Sequence, residues 1–167
     1  GIGTDTIDGL STAALAGLTA TQIAGLTSSQ LSALSSDQLQ ALSSAQVRAL
    51  STAALGLMAT DALNDLTTAQ FAALTTAQIV AMSSSQFAGL TTDDLAALGT
   101  AQVRAIETRD IAALDSADLG ALSGAQVSVL TTDQLRAIGS DDLPGLSTAG
   151  FGGLTSAQIA VLTSAQI

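Results

Sequence analysis

The chain of 167 residues carries a formal net charge of −10 and contains no Cys, His, Trp or Tyr. Its four basic residues are too few for the basic surface that binds nucleic acid, and its acidity disfavours contact with anionic membrane surfaces. No apolar run approaches the roughly 20 residues that cross a bilayer, so we expect no membrane insertion.

An eight-residue repeat, which we call the octad, runs from the first residue to the last without insertion or deletion. With Leu10 assigned to position 2, positions 2 and 7 are apolar in all 21 octads, from Ile2 and Ile7 to Leu162 and Ile167. Such a period is the signature of a repeat architecture. The sequence therefore predicts a single uninterrupted array over residues 1–167.

The apolar spacing of five and then three residues decides the secondary structure. A half-buried strand needs even spacings. One continuous helix would carry the apolar stripe around its axis, because eight residues overshoot two turns by roughly 80°. A spacing of three does put two side chains on one helix face. The pattern thus favours a short helix and a break in every octad.

Position 3 marks where each helix begins. It is Ser or Thr in 15 octads and Gly or Asp in four more, which are the preferred N-cap residues, and only Ala59 and Glu107 depart. Position 6 is Gln or Asp in 16 octads, so Thr67 and Gln70 form a capping box typical of many octads. Twelve of the 14 acidic residues lie at positions 3, 5 or 6, close to the positive helix N-terminus.

We therefore predict an all-α solenoid of very short capped helices, one per octad, shaped as an elongated rod. Isolated helices of this length are unstable in water, so each octad must stack on others. Position 1 is Gly or Ala in 17 octads, and we attribute this to close packing between neighbouring coils.

In chain order, the first irregular stretch is Gly56-Leu57-Met58-Ala59, with Leu57 at position 1 and Ala59 at the cap position. All three Phe lie at position 7 at spacings that are multiples of 16, which indicates a pair of octads as the structural unit. These residues are Phe71, Phe87 and Phe151.

Pro144 stands at position 8, where a helix of one and a half turns tolerates it.

Three Asp-rich stretches raise the question of a calcium site: Asp93-Asp94, Asp110 to Asp118, and Asp141-Asp142. Calcium needs several clustered oxygen ligands, and neither the EF-hand loop nor the glycine-rich calcium nonapeptide is present. We favour solvated helix N-termini over metal binding and expect no metal site.

Catalytic chemistry has few candidates. Without His, Cys, Lys or Tyr, the functional groups left are Ser, Thr and carboxylates, and helix capping explains their positions. We expect no catalytic residue and no cofactor, and therefore no enzyme. The Ser/Thr ladder at positions 3 and 4 allows one other hypothesis, an ordered surface that binds ice. The mixture of Ser, Thr, Gly and Asp at position 3 favours capping.

The phrases Leu66-Thr-Thr-Ala-Gln-Phe-Ala-Ala-Leu74 and Leu74-Thr-Thr-Ala-Gln-Ile79 resemble the Ala-Leu-Thr-Thr-Ala-Gln-type repeat tracts of very large secreted bacterial surface proteins. Such proteins are often labelled adhesins or haem-utilisation proteins. The resemblance covers the whole chain and implies display at the cell surface or outside the cell. The resemblance identifies no functional residue in this chain. Met58 and Met82 occupy core positions of the octad, so we do not expect them to be haem ligands.

The resulting hypothesis is an extracellular structural repeat protein, either a spacer or a filament-forming solenoid, with ice binding as the alternative. Neither end shows the polar capping repeat that isolated solenoids normally need. The expected partners are therefore a second copy, stacked end to end into fibres, or adjoining repeats of a longer chain.

Overall fold

The computed structural model describes residues 7–166. Within that range the chain forms 18 α-helices of four to six residues and one 3-10 helix, with no β-strand. This confirms the all-α solenoid of short helices. The helices are α1 Thr12–Ala16, α2 Ala20–Ala24, α3 Ser28–Ser32, α4 Ser36–Gln40, α5 Ser44–Ala49, α6 Thr52–Gly56, α7 Thr60–Asn64, α8 Thr68–Ala73, α9 Thr76–Ala81, α10 Ser84–Phe87, α11 Thr92–Ala97, α12 Thr100–Ala105, α13 Thr108–Ile111, α14 Ser116–Ala121, α15 Gly124–Ser128, α16 Thr132–Ala137, the 3-10 helix Leu143–Gly145, α17 Thr148–Gly153 and α18 Ser156–Ile159.

Every one of these α-helices begins directly after a position-3 residue with extended backbone. At Thr67, for example, φ is −72° and ψ is 157°. Its Oγ1 accepts a hydrogen bond from Gln70 N at 3.3 Å, and Gln70 Oε1 accepts one from Thr67 N at 2.7 Å. The predicted caps and capping boxes are therefore confirmed. Ala59 and Glu107 make no side-chain cap, and the Glu107 carboxylate pairs instead with Arg109 at 2.6 Å.

The two apolar positions form the core. Every position-7 side chain from Ile7 to Leu143 is at most 1% exposed, and every position-2 side chain from Leu26 to Leu146 is between 1% and 6% exposed. Position 7 lies on the helix, whereas position 2 lies in the extended segment that leads to the next N-cap. The short helix needs both because neither its hydrogen bonds nor its propensity would hold it in water.

Successive coils pack at a fixed sequence separation. Helices three octads apart contact each other, as α2 does with α5, α6 with α9 and α11 with α14. Glutamine side chains donate hydrogen bonds between coils to backbone oxygens 28 to 31 residues earlier, as Gln38 does to Leu10 O and to Ile7 O. A separation of 28 residues is three and a half octads. The pair-of-octads unit predicted from the Phe spacing is therefore wrong, because the contacting residues lie three to four octads apart.

Small residues at position 1 allow neighbouring coils to pack closely against each other. No described residue has positive φ, so the glycines there serve no left-handed turn. A Cβ on Gly145 would overlap the backbone of Ser116, and one on Gly153 would overlap the backbone of Gly124. The prediction that position 1 is small because coils pack closely is confirmed at these sites.

One octad departs from the helical pattern. Residues 140–142 form a turn, followed by the 3-10 helix Leu143–Gly145. Pro144 has no amide hydrogen to donate, and Gly139 at position 3 has no side chain to cap with. Leu143 at position 7 is nevertheless 1% exposed, so the core continues through this octad.

The chain divides into two compact units, Gly1–Met82 and Ser83–Ile167. Each unit has the same octad architecture and its own contacts between coils. The octad register of the sequence continues across the division, and a single array over residues 1–167 stays a prediction. None of the described helices has the length and apolar character needed to span a membrane.

Removing one N-cap hydroxyl should have a measurable but modest effect. We expect Thr67→Ala to lower the free energy of unfolding by about 1 kcal/mol, because Gln70 N loses its side-chain acceptor, Thr67 Oγ1. The reverse change at an uncapped helix, Ala59→Ser, should raise it by about the same amount. Thr68→Ala is the matched control, since Thr68 is exposed at position 4 of the same helix. Urea unfolding measures all three, and an equal effect of Thr67→Ala and Thr68→Ala would contradict the capping role.

Candidate functional site: the glutamine contacts between coils

The position-6 glutamines form hydrogen bonds through both the oxygen and the nitrogen of the side-chain amide. Gln78 is 1% exposed, and its Oε1 accepts a hydrogen bond from Thr75 N at 2.8 Å within its own octad. Its Nε2 donates to backbone oxygens of the preceding coil, Val47 O at 2.8 Å, Leu50 O at 2.9 Å and Arg48 O at 3.4 Å. We call this arrangement the inter-coil clamp.

The clamp recurs in both units with the same separations of 28 to 31 residues. Gln70 Nε2 reaches Leu39 O at 2.8 Å and Leu42 O at 2.7 Å, and Gln158 Nε2 reaches Val127 O and Leu130 O, each at 2.8 Å. Its members in the described residues include Gln38, Gln46, Gln70 and Gln78 in the first unit and Gln126, Gln134, Gln158 and Gln166 in the second.

The chemistry of the clamp follows from the helix ends. The last carbonyl oxygens of a helix have no intrahelical donor, and burial without a donor is costly. A glutamine amide offers one acceptor for the N-cap amide and two hydrogens for the carbonyls of the coil before it, without introducing charge. One residue thus closes the start of its own helix and the end of another.

The sequence interpretation found only half of this role. A capping box accepts Glu as well as Gln at its third helical position, yet position 6 holds Gln in 12 octads and Glu in none. That bias was the signal for a required donor, because an ionised Glu cannot supply one. The acceptor of Nε2 could not be identified without knowing the number of octads per coil.

Four position-6 residues in the second unit are Asp, and three of them are buried: Asp94 is 3% exposed, Asp118 7% and Asp110 0%. Burial raises the pKa of the Asp94 carboxyl above its ordinary value, against the hydrogen bond from Thr91 Oγ1 at 2.6 Å. Burial likewise raises the pKa of Asp118. Asp110 Oδ1 accepts from Ser84 Oγ at 2.6 Å, whereas its Oδ2 has no partner in the described part of the chain.

The Asp-rich stretches considered for calcium are distributed over helix starts. Asp115 caps α14, accepting from Ala117 N at 2.8 Å, and Asp94 contacts Thr91. Asp133 lies 3.7 Å from Arg136. Among residues 7–166 no three acidic side chains are grouped in a way that could hold a metal ion. That the protein has no metal, cofactor or catalytic site stays a prediction.

The Ser/Thr ladder supplies the caps. At position 3 the hydroxyl oxygens of Thr67, Thr75 and Ser83 each accept from the backbone amide three residues later, at 3.2 to 3.3 Å. These hydrogen bonds are the ones that capping requires. They do not bear on whether the ladder binds ice, and that hypothesis stays a prediction.

Apolar surface is exposed at few places in the described chain. Leu57, which replaces the usual Gly or Ala at position 1, is 71% exposed beside a shallow groove lined by Thr52, Ala53, Gly56 and Ala81. In the last coil, Phe151 is 43% and Ile159 is 52% exposed, although both are at position 7. Position 7 is therefore not buried in every octad of the described chain.

The model of the ALTTAQ repeat family matches the chain six times, at residues 1–36, 32–68, 58–92, 87–116, 103–138 and 135–167. These matches extend over the whole sequence and agree with the octad register. No curated protein matches the chain.

Proposed function

Because the chain belongs to the ALTTAQ repeat family, we propose that it is a structural element, an extracellular spacer or filament-forming solenoid of a bacterial surface or secreted protein. The inter-coil clamp carries this proposal. It uses position-6 side chains to hold coils together within each of the two units. A chain of nearest-neighbour contacts of this kind is how solenoids gain stability.

The chemistry of the side chains supports a structural role over a catalytic one. The hydroxyls at position 3 and the amides at position 6 are engaged in caps and clamps. The chain has no His, Cys, Lys or Tyr to act as a general base or nucleophile. We assign it no enzymatic activity.

The location outside the cell rests on the sequence. The composition is acidic and free of Cys, and the octads resemble the repeat tracts of large secreted surface proteins. An acidic surface keeps such an array soluble. Surface display and an adhesin-like context are part of the same proposal.

The partners we propose are other coils of the same kind. Phe151 and Ile159 expose position-7 side chains, whereas the position-7 side chains from Ile7 to Leu143 are buried. Either adjoining repeats of a longer chain or the first coil of a second copy has the required shape. Contact of one end with the opposite end is heterologous, so it propagates into an open filament.

Light scattering of the 167-residue chain across a salt series tests the filament form. We expect association to increase with salt, because the net charge of −10 opposes contact between copies and ions screen it. Phe151→Asp should reduce the association, since it places a charge in the exposed position-7 surface. Leu57→Asp is the control, because Leu57 is an apolar side chain in another coil and is more exposed than Phe151, at 71% against 43%.

A chain that stays monomeric at high concentration and high salt would exclude the filament. The proposal would then reduce to a spacer within a longer array. Equal effects of Phe151→Asp and Leu57→Asp would show association through general apolar surface and would contradict end-to-end contact.

A further inference from the structure

The position-6 Asp residues occupy the place of a clamp without having its donor. Asp118 Oδ2 accepts from Asp115 N at 3.1 Å, the hydrogen bond that Oε1 makes to the N-cap amide in the glutamine octads. In the next octads, Gln126 Nε2 donates to Leu95 O and Leu98 O, and Gln134 Nε2 to Ile106 O, in the coil before. The residues 31, 30 and 28 positions before Asp118 are Phe87, Ala88 and Leu90, so their carbonyl oxygens are the acceptors that a clamp at position 118 would use.

A carboxylate and a carboxylic acid behave oppositely at such a place. An ionised carboxylate only accepts hydrogen bonds, so it repels carbonyl oxygens. The neutral acid keeps one acceptor oxygen for the N-cap amide and gains an O–H that donates to a carbonyl. We propose that Asp118 is a proton-dependent inter-coil clamp, which joins its coil to the preceding one when the carboxyl is neutral and releases it when the carboxyl ionises.

The surroundings of Asp118 favour the neutral form. The helix α14 packs against α11 and the 3-10 helix. The corresponding carbonyls lie at the end of α10 and in the three residues after it, and residues 84–90 include no charged side chain. No Arg lies on any of these elements, and Arg109 on the preceding helix pairs with Glu107 and Asp110. The charged groups on the elements that surround Asp118 are all acidic: Asp93 and Asp94 on α11, Asp115 at the cap of α14, and Asp141 and Asp142 before the 3-10 helix.

Two other observations agree. The buried Oδ2 of Asp110, another position-6 carboxyl, lacks a hydrogen-bond partner among the described residues. Burial raises the pKa of Asp118, with a further contribution from the Asp115 charge, while the backbone hydrogen bond from Asp115 opposes the shift. Asp94, at the same octad position, has its pKa raised in the same way.

The direction of the pH effect follows. An acid with a folded pKa above its unfolded value binds its proton more tightly in the folded state, so stability falls as pH rises. The extra stability is fully present below the ordinary Asp value of 3.8 and is lost as pH rises through the raised folded value. The second unit should therefore hold its coils more tightly in mild acid than at neutral pH.

The test compares the full chain with Asp118→Gln, which supplies the clamp amide permanently. Urea unfolding of each should be followed from mild acid to neutral pH, and carbon NMR should follow the Asp118 carboxyl directly. We expect Asp118→Gln to raise the unfolding midpoint at neutral pH and to flatten its dependence on pH. We also expect the Asp118 carboxyl to titrate above the ordinary Asp value.

Asp37→Asn is the matched control, an exposed first-turn Asp at position 5 whose side chain is not at the clamp. It should leave the pH dependence as in the parent chain. An Asp118 titration at or below the ordinary value would overturn the proposal. So would an Asp118→Gln variant that is no more stable than the parent at neutral pH, provided that its circular dichroism is unchanged.

Discussion

Replacing Phe71 by Ala is expected to lower the free energy of unfolding by about 3–5 kcal/mol, the largest effect that we expect from a single substitution. Phe71 lies at position 7 of its octad with none of its surface exposed. A core only one coil wide has few neighbouring side chains that can move into the space left by the ring. The cost therefore includes both the lost apolar burial and the cavity.

Phe151→Ala is the matched control, because Phe151 has the same octad position but is 43% exposed. Its replacement should cost clearly less, since much of the ring already contacts water. Urea unfolding followed by circular dichroism measures both changes. Similar losses at Phe71 and Phe151 would show that burial of the position-7 side chain does not decide its contribution to stability.

Replacing Gln78 by Glu should have the second largest effect, about 3 kcal/mol or more at neutral pH. The side chain keeps its length and its acceptor for Thr75 N, so only the donor is lost. The new carboxylate oxygen then faces the oxygens of Val47 and Leu50, at positions where Nε2 stands 2.8 and 2.9 Å away. Lowering the pH should recover part of the loss, because the protonated acid donates again.

Gln22→Glu separates this effect from capping. Gln22 accepts from Thr19 N at 2.9 Å in an intact capping box, but its side chain is exposed, and no residue of the 167-residue chain lies 28 to 31 positions before it. Its replacement should change the free energy of unfolding by less than about 0.5 kcal/mol. Equal losses for the two variants would mean that position 6 serves the N-cap alone.

Most of the local structure was predictable from the sequence. A spacing of five and three, a cap residue at position 3 and an acceptor at position 6 each act within one octad, over three to five residues. The N-cap of Thr67, its capping box with Gln70 and the burial of Leu74 were all expected, and the structure has them. The sequence also has no His, Cys, Lys or Tyr, so the functional groups of a candidate site could only be hydroxyls, amides and carboxylates.

The contacts between coils were not predictable in the same way. The number of octads in a coil depends on the angle between successive short helices. Position 1 packs closely against the backbone of a neighbouring coil, as at Gly145 and Ser116, and a pattern within one octad does not reveal which residues meet there. One octad contacts others both three and four octads away, so one complete coil does not correspond to a simple repeat period in the sequence. The prediction from the Phe spacing failed for this reason.

The sequence by itself thus determined the fold class, the register, the start of each helix and the core, because these depend on interactions between near neighbours repeated 21 times. Only the tertiary structure decided how many octads complete a coil and where each Nε2 finds its acceptor. It also distinguished Gln78, which holds two coils together, from Gln22, which caps one helix. The physical reason is that a hydrogen bond between residues 28 to 31 apart depends on the three-dimensional path of the backbone between them.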